Sequence, residues 1–175
     1  MDFPLADIWA YNPPLFEIEA LRLMSAHDHQ GCINQAMARA ECLCEERGVR
    51  FTPLRRRVLE LIWSNHESVK AYDLLDTLKS FDPAAKPATI YRTLDFLLEQ
   101  GLIHRIESLN AFVGCRQPGR RHELLLLICE RCHNVDERPA PELMAVAEQE
   151  IRAARFIPQH QSFEIRGLCA ECAAV

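Results

Sequence analysis

Residues 87–101 read P-A-T-I-Y-R-T-L-D-F-L-L-E-Q-G. Pro87 pre-sets the first helical turn, where its missing N–H costs nothing, and Gly101 supplies a left-handed stop. Between them Ile90, Leu94, Leu97 and Leu98 fall at i, i+4, i+7 and i+8, which makes one core-facing stripe. Arg92 lies opposite that stripe on a helical wheel, Thr89 lies on the same outer side, and Tyr91 flanks it. A helix that buries one face and presents such groups from its first turns has the form of a groove-reading element. Arg92 can donate a fork to guanine O6 and N7, and Tyr91 can meet a thymine methyl or a phosphate. The same residues also read as a solvated arginine and a half-buried packing tyrosine, and periodicity alone does not separate the two.

Working outward, Ile33 to Arg47 reads as a helix ended by Gly48. Thr52 and Pro53 are an N-cap and a proline at the first helical position. The helix they start carries Leu54, Val58, Leu61 and Ile62 on one face. Arg55, Arg56 and Arg57 open it, either as phosphate contacts or as an ordinary solvated face. A third helix runs from about Ala71 to Phe81 with Leu74, Leu75 and Leu78 inward, and Asp82-Pro83 breaks it. Beyond Gly101 come two strand-like runs, Leu102 to Glu107 and Ala111 to Cys115, joined by Ser108-Leu109-Asn110. Helices closed by such a hairpin make a winged helix-turn-helix.

After Gln117-Pro118-Gly119 the pattern changes. Glu123 to Ile128, Val135 to Arg138 and Gln161 to Arg166 read as strands. Pro141 to Ala154 reads as a helix with Leu143, Val146, Ala147 and Ile151 inward. Cys129 and Cys132 form one C-x-x-C, and Cys169 and Cys172 form another. Each pair puts two thiolates on a tight turn, and two pairs complete a closed tetrahedral zinc site with no open position for chemistry. The expected fold class is α+β: a winged-helix DNA-binding domain at 31–115, a hinge at 116–121, and a small α/β domain at 122–175 stapled by four cysteines. Residues 1–30 stand apart as an acidic, proline- and aromatic-rich extension with no assigned role, in which Glu17 to Ser25 can form a short amphipathic helix.

The chain has 175 residues, is 49% hydrophobic and has a net charge of −5, an unpromising total for a nucleic-acid binder. The distribution reverses that impression. Residues 1–46 hold two basic and eight acidic residues, whereas residues 47–92 hold nine basic and five acidic. The positive field coincides with the helical unit. The first residues, M-D-F-P-L-A-D-I-W, lack a basic start and an apolar core, and the longest apolar run, Leu124 to Cys129, is too short to span a bilayer. The expectation is a cytoplasmic protein with reduced, metal-binding thiols and no membrane partner.

The ordered set V-R-F-T-P-L-R-R-R-V-L (49–59), A-Y-D-L-L (71–75), P-A-T-I-Y-R-T-L-D-F-L-L-E-Q-G-L-I (87–103), H-E-L-L-L-L-I-C-E-R-C (122–132) and G-L-C-A-E-C (167–172) resembles the ferric uptake regulator family of metal-dependent bacterial repressors. The resemblance covers about Ile33 to Cys172. It implies a homodimer, with the winged helix reading an A/T-rich inverted repeat in double-stranded DNA and the C-terminal domain dimerising. The iron-responsive branch carries H-x-H just before the first C-x-x-C. Here those positions are Leu124 and Leu126, so the iron-type site is disrupted, and the peroxide-sensing branch, which needs similar ligands, is disfavoured. His104, Cys115, His122 and Glu137 instead resemble the regulatory site of the zinc uptake regulator branch, and a nitrogen, sulfur and oxygen donor set including a thiolate suits zinc. Taken singly, each also reads as an ordinary residue: a wing histidine, a buried thiol, a linker histidine, a solvated carboxylate. The resemblance thus implies two zinc ions per chain, one structural and one regulatory. It also implies a zinc-responsive repressor of zinc uptake genes, whose regulatory metal fixes the orientation of the DNA-binding domains.

Two positions depart or stay open. The family usually has glycine after the first C-x-x-C, where this chain has His133. His160 matches a histidine common near the last strand, as an accessory ligand or a structural residue. The rival readings are a family member sensing another metal or peroxide, a zinc-ribbon protein-interaction module, and a zinc enzyme such as a nucleobase deaminase. The last needs H-x-E and an open zinc position, and no H-x-E occurs. The expectation is therefore no enzyme activity and no small-molecule substrate.

Overall fold

A computed structural model describes residues 29–64, 67–119, 124–159 and 161–174. The expected helix Glu17–Ser25, and with it the residue 1–28 part of the extension, lies outside the described residues, as do His122 and His160. The element order is α1 (His29–Glu46), α2 (Pro53–Trp63), β1 (Val69–Lys70), α3 (Ala71–Lys79), α4 (Pro87–Glu99), β2 (Ile103–Ile106), β3 (Ala111–Gly114), β4 (Leu124–Cys129), β5 (Val135–Pro139), α5 (Pro141–Ala153), β6 (Glu164–Gly167) and α6 (Ala170–Ala173). Among the described residues no helix is long and apolar enough to cross a membrane.

Local chemistry explains the helix ends. Thr52 caps α2 by accepting the Arg55 N–H at 3.3 Å. At the end of α1, Gly48 adopts φ +65, and the Gly48 and Val49 N–H groups return to Glu45 and Cys44 carbonyls at 3.0 and 2.9 Å. The same device ends α4: Gly101 has φ +64, and Gly101 and Leu102 return to Leu98 and Leu97 at 2.9 Å each. This double bond satisfies the last helical carbonyls and turns the chain sharply. In α4 the turn drops buried Leu102 and Ile103 straight into the sheet.

Two apolar clusters result. The larger packs α1 to α4 around Ala40, Val58, Leu59, Ile62, Leu74, Leu75, Ile90, Leu94 and Leu97. The expected stripes of α3 and α4 are thus inward, with Leu54, Leu61 and Leu98 partly buried at the margin. The three-stranded sheet β1-β3-β2 leans on this cluster. Its third strand, the two-residue β1, pairs Val69 with Phe112 and adds to the expected hairpin. The smaller cluster, Ile106, Val113, Leu126, Ile128 and Val135, fastens that sheet to a second one ordered β5-β4-β6. In the second sheet β4 pairs antiparallel with β5 and parallel with β6.

Helix α5 corrects one expectation. Leu143 and Val146 are 39% and 57% exposed, and Met144 is the buried residue. Phe156, Ile157, Ile165 and Leu168 are exposed nearby in sequence or in the same half. Leu143 and Val146 therefore look away from the chain's own core, while Ala147 and Ile151 of the expected stripe are half-buried.

Gly114, at the end of β3, shows how tightly the two layers of the first half meet. A Cβ there would lie 2.3 Å from Trp63 Nε1 and 2.4 Å from Trp63 Cε2. Gly114→Ala should therefore destabilise the fold by about 1–3 kcal/mol, the usual effect of overpacking. Denaturant unfolding checks this, with a wild-type midpoint as the contrary result.

Candidate metal centres and candidate nucleic-acid interface

Strand register builds the first centre. The parallel β4/β6 pairing sets Cys129 opposite Gly167. Two residues further on, the Cys169 N–H points at Cys129 Sγ, 3.4 Å away. After Cys129 the chain folds back on itself: His133 N donates to Cys129 O and Cys129 N to Asn134 O, both at 3.0 Å. That turn returns Cys132 to within 3.8 Å, sulfur to sulfur, of Cys169. Helix α6 brings in Cys172, and all four sulfurs lie within 4.8 Å of one another. Zinc–sulfur bonds of about 2.3 Å in a tetrahedron require sulfur edges of about 3.8 Å, so the donor set fits zinc. His133 occupies φ +58, the left-handed region that favours glycine. That geometry is the physical reason for glycine being usual at this position.

The thiols are already polarised. Backbone N–H groups of Cys132 and Cys169 directed at Cys129 pull its thiol down to about 6. Its hydrogen bond with Cys169, followed by burial and the other two thiols, pushes Cys172 up to about 12. Cys129 thus ionises readily while Cys172 resists ionisation. A dication removes the repulsion that opposes further deprotonation.

The second centre straddles the two sheets. His104 sits in β2 opposite Val113, and Cys115 follows the end of β3. Cys115 is held by its N–H to Leu102 O at 3.0 Å. Glu137 comes from β5, opposite Leu126. His104 Nε2 lies 3.8 Å from Glu137 Oε2, and one donor atom of each of His104, Cys115 and Glu137 lies within 4.8 Å of the others. The Arg116 N–H donates to Glu137 Oε2 at 3.2 Å, and Arg39 of α1 holds the Arg116 carbonyl at 2.9 Å. Burial and the Glu137 carboxylate push the Cys115 thiol up to about 12, while burial lifts Glu137 to about 6. Two acids that repel each other's charge in a dry site suit a dication, which favours both anions at once. Thiolate, imidazole and carboxylate together fit zinc. Arg39 and Arg116 carry no signal in the sequence, because the contact that matters is a backbone group 77 residues away.

The candidate nucleic-acid face is divided. Arg92 and Tyr91 are exposed on α4, Tyr91 at 49%, and Thr89 is half-buried. The arginine triplet is engaged within the chain. Arg55 stacks on Phe96, 3.4 Å from the ring centroid, and donates to the Arg50 carbonyl. Arg56 pairs with Glu41, and Arg57 lies 4.3 Å over Phe81 and bonds Glu60 at 3.2 Å. Tyr72, at the start of α3, is 71% exposed and carries no sequence signal of a contact role, because it lies off the candidate reading helix α4.

Fold and donor groups define a winged-helix protein with two candidate metal centres. Residues 46–166 match the ferric uptake regulator family. The chain is 42% identical to the zinc uptake regulation protein of Escherichia coli (strain K12), over 81% of this chain and 83% of that one. It is similar to the structure of a zinc uptake regulator complexed with zinc and DNA, with TM-score 0.78 and 40% identity over 81% of this chain and 95% of the other. The crystal structure of holo XcZur gives TM-score 0.75 and 43% identity over 81% and 99%. The chain belongs to the ferric uptake regulator family.

Proposed function

We propose that this protein is a zinc-responsive, DNA-binding transcriptional repressor that works as a homodimer in the cytoplasm. The observation that carries the reading is the second centre. His104 and Cys115 come from the winged-helix half, and Glu137 comes from the other half. The family resemblance adds His122 as the fourth ligand, so that each chain holds a regulatory zinc beside the structural zinc of Cys129, Cys132, Cys169 and Cys172. The likeness to zinc uptake regulators, one of them in complex with zinc and DNA, supports the choice of metal and partner.

Zinc bound at the second centre supplies a dication that binds imidazole, thiolate and carboxylate together. His104 and Cys115 then stay fixed relative to Glu137, and residues 31–115 keep one orientation on residues 122–175 across the hinge 116–121. In a dimer that orientation sets the spacing of two α4 helices, which must match the half-site spacing of an A/T-rich inverted repeat. Zinc and DNA each favour the same orientation, so their binding is reciprocally coupled. The exposed Leu143, Val146, Ile165 and Leu168 suit the apolar contact of two copies. Thr89, Tyr91 and Arg92 face the groove, and Arg55, Arg56 and Arg57 reach phosphates by exchanging their contacts within the chain.

Fluorescence anisotropy with operator-like DNA tests the reading, with zinc, iron(II) and manganese(II) each buffered over a wide range. Tight binding at very low zinc, ahead of the other metals, is the expected result. Equal response to iron or manganese would overturn the ligand assignment, and no specific binding would return the chain to a protein-interaction module. Arg92→Ala should weaken operator binding by about 1–3 kcal/mol and relax sequence preference at one position of each half-site. An unchanged preference in a binding-site selection would remove Arg92 from base reading.

A further inference from the structure

The second sheet offers two carboxylates to the winged-helix half. Leu126 of β4 is in register with Glu137 on one side and Glu164 on the other. Residues in register share a face, so the two carboxylates flank buried Leu126, a member of the cluster that joins the sheets. Glu137 meets the Arg116 N–H just beyond β3. Glu164 meets the other end of the hairpin. Its Oε1 accepts the Glu107 N–H at 2.7 Å and the Ser162 hydroxyl at 3.1 Å. Its Oε2 accepts the Ser108 N–H at 3.1 Å.

Glu107–Leu109 is the 3₁₀ turn that links β2 to β3, so these are the first N–H groups of that turn. Burial alone would raise the Glu164 pKa. Hydrogen bonds from the Ser108 hydroxyl and the two N–H groups outweigh it and hold the carboxylate below its ordinary value. The charge is therefore present at neutral pH, and charge-assisted bonds are the strong ones. None of the groups that meet Glu164 here is one of the candidate metal donors.

We propose that Glu164 is a positioning residue: a metal-independent clasp between β6 and the β2–β3 turn that pre-sets the orientation the regulatory zinc completes. The inference rests on the functional reading above. If the competent orientation is partly formed before zinc arrives, the apparent zinc affinity is the intrinsic affinity multiplied by the population of that orientation. Glu164 then sets the zinc threshold without touching zinc.

The experiment is a competition titration of the full-length dimer with a chromophoric zinc chelator, followed by operator anisotropy. Glu164→Ala should weaken zinc at the regulatory centre by about tenfold, the equivalent of about 1.4 kcal/mol. It should leave the four-cysteine zinc in place and recover wild-type operator affinity once zinc is saturating. Glu164→Gln, which keeps an acceptor, should fall between. Ser108→Ala, on the opposite side of the contact, should move the zinc midpoint the same way by less, and the double variant should show less than the sum. A merely structural role would lower thermal stability without moving the zinc midpoint.

A zinc midpoint in Glu164→Ala equal to that of wild type would overturn the clasp, as would strict additivity with Ser108→Ala. Loss of operator binding at saturating zinc would overturn it too, by making Glu164 part of the DNA-bound state. The wild-type control separates the two levels of inference. A wild-type chain with no zinc-dependent operator binding fails the functional reading, and a responsive wild type with an unshifted Glu164→Ala fails only the clasp.

Discussion

Cys115→Ser is expected to abolish zinc-dependent operator binding while leaving a folded dimer that still carries its four-cysteine zinc. The side chain is 2% exposed, and serine is close to it in shape. The change therefore leaves the packing of β3 intact, and a lost buried contact of that kind costs about 1 kcal/mol. Its effect on metal is far larger. The thiolate is the soft donor of the centre, and a serine hydroxyl does not ionise to replace it. Loss of even an outer partner of a ligand costs about 10–100-fold in metal affinity, so loss of the ligand exceeds that. Switching a two-state orientation from mostly wrong to mostly right takes about 5.5 kcal/mol of differential binding. Without the sulfur, the remaining proposed ligands His104, His122 and Glu137 are not expected to supply it. Metal content should fall by one zinc per chain, with the circular dichroism spectrum unchanged. Retained zinc-dependent binding would place the regulatory metal elsewhere.

Breaking the other centre should have a different and more global consequence. Cys169→Ser, or exhaustive chelation of the reduced protein, is expected to unfold the second half and dissociate the dimer. That half buries little of its own: Leu126, Ile128, Val135 and Met144 are its main buried apolar residues, and Leu143 and Val146 of α5 are exposed. A structural zinc contributes about 10–16 kcal/mol at neutral pH. Whole domains are stable by only about 5–15 kcal/mol. A zinc held by the four cysteines would thus be the dominant support of the β4, β6 and α6 junction, whereas the helical half keeps its own core. Hydrogen exchange should show protection lost from residues 124–174 and kept in α2 and α4, and sedimentation should show monomers. A metal-free, reduced chain that melts like the wild type as a dimer would refute this.

The helical half was largely legible because its signals are local. Thr52-Pro53, Gly48 and Gly101 mark ends by their own chemistry, and the spacing of Leu74, Leu75, Leu78, Ile90, Leu94 and Leu97 names the buried faces. Strand β1 carries no signal in the sequence, because two residues have no periodicity. Helix α5 was legible only in part because periodicity says that a stripe exists and not what it meets; Ala147 and Ile151 are half-buried, Leu143 and Val146 are exposed, and Met144 is the buried residue of the helix. The four-cysteine group could be read from spacing alone. His104, Cys115 and Glu137 could not, since β-strand register gathers them, and the family resemblance did what spacing could not. Glu164 and Arg116 were invisible for the same reason, their partners being backbone N–H groups and carboxylates far along the chain. His122 lies outside the described residues, and its place among the ligands rests on the family resemblance.

The pairing of β4 with β6 sets an order of events during synthesis. Helices α1 to α4 and the β2–β3 hairpin are contiguous in sequence, and their contacts close over short loops, so they can form as soon as they emerge. Strand β4 must wait for a parallel partner that begins at Glu164, past β5 and the whole of α5. Until then Cys129 and Cys132 are a lone pair of thiols with half a coordination sphere. The helical half can therefore be finished before the second sheet exists, and on the proposed reading capture of a zinc by the completed cysteine set would be the step that adds a dimerising half to a ready DNA-binding one.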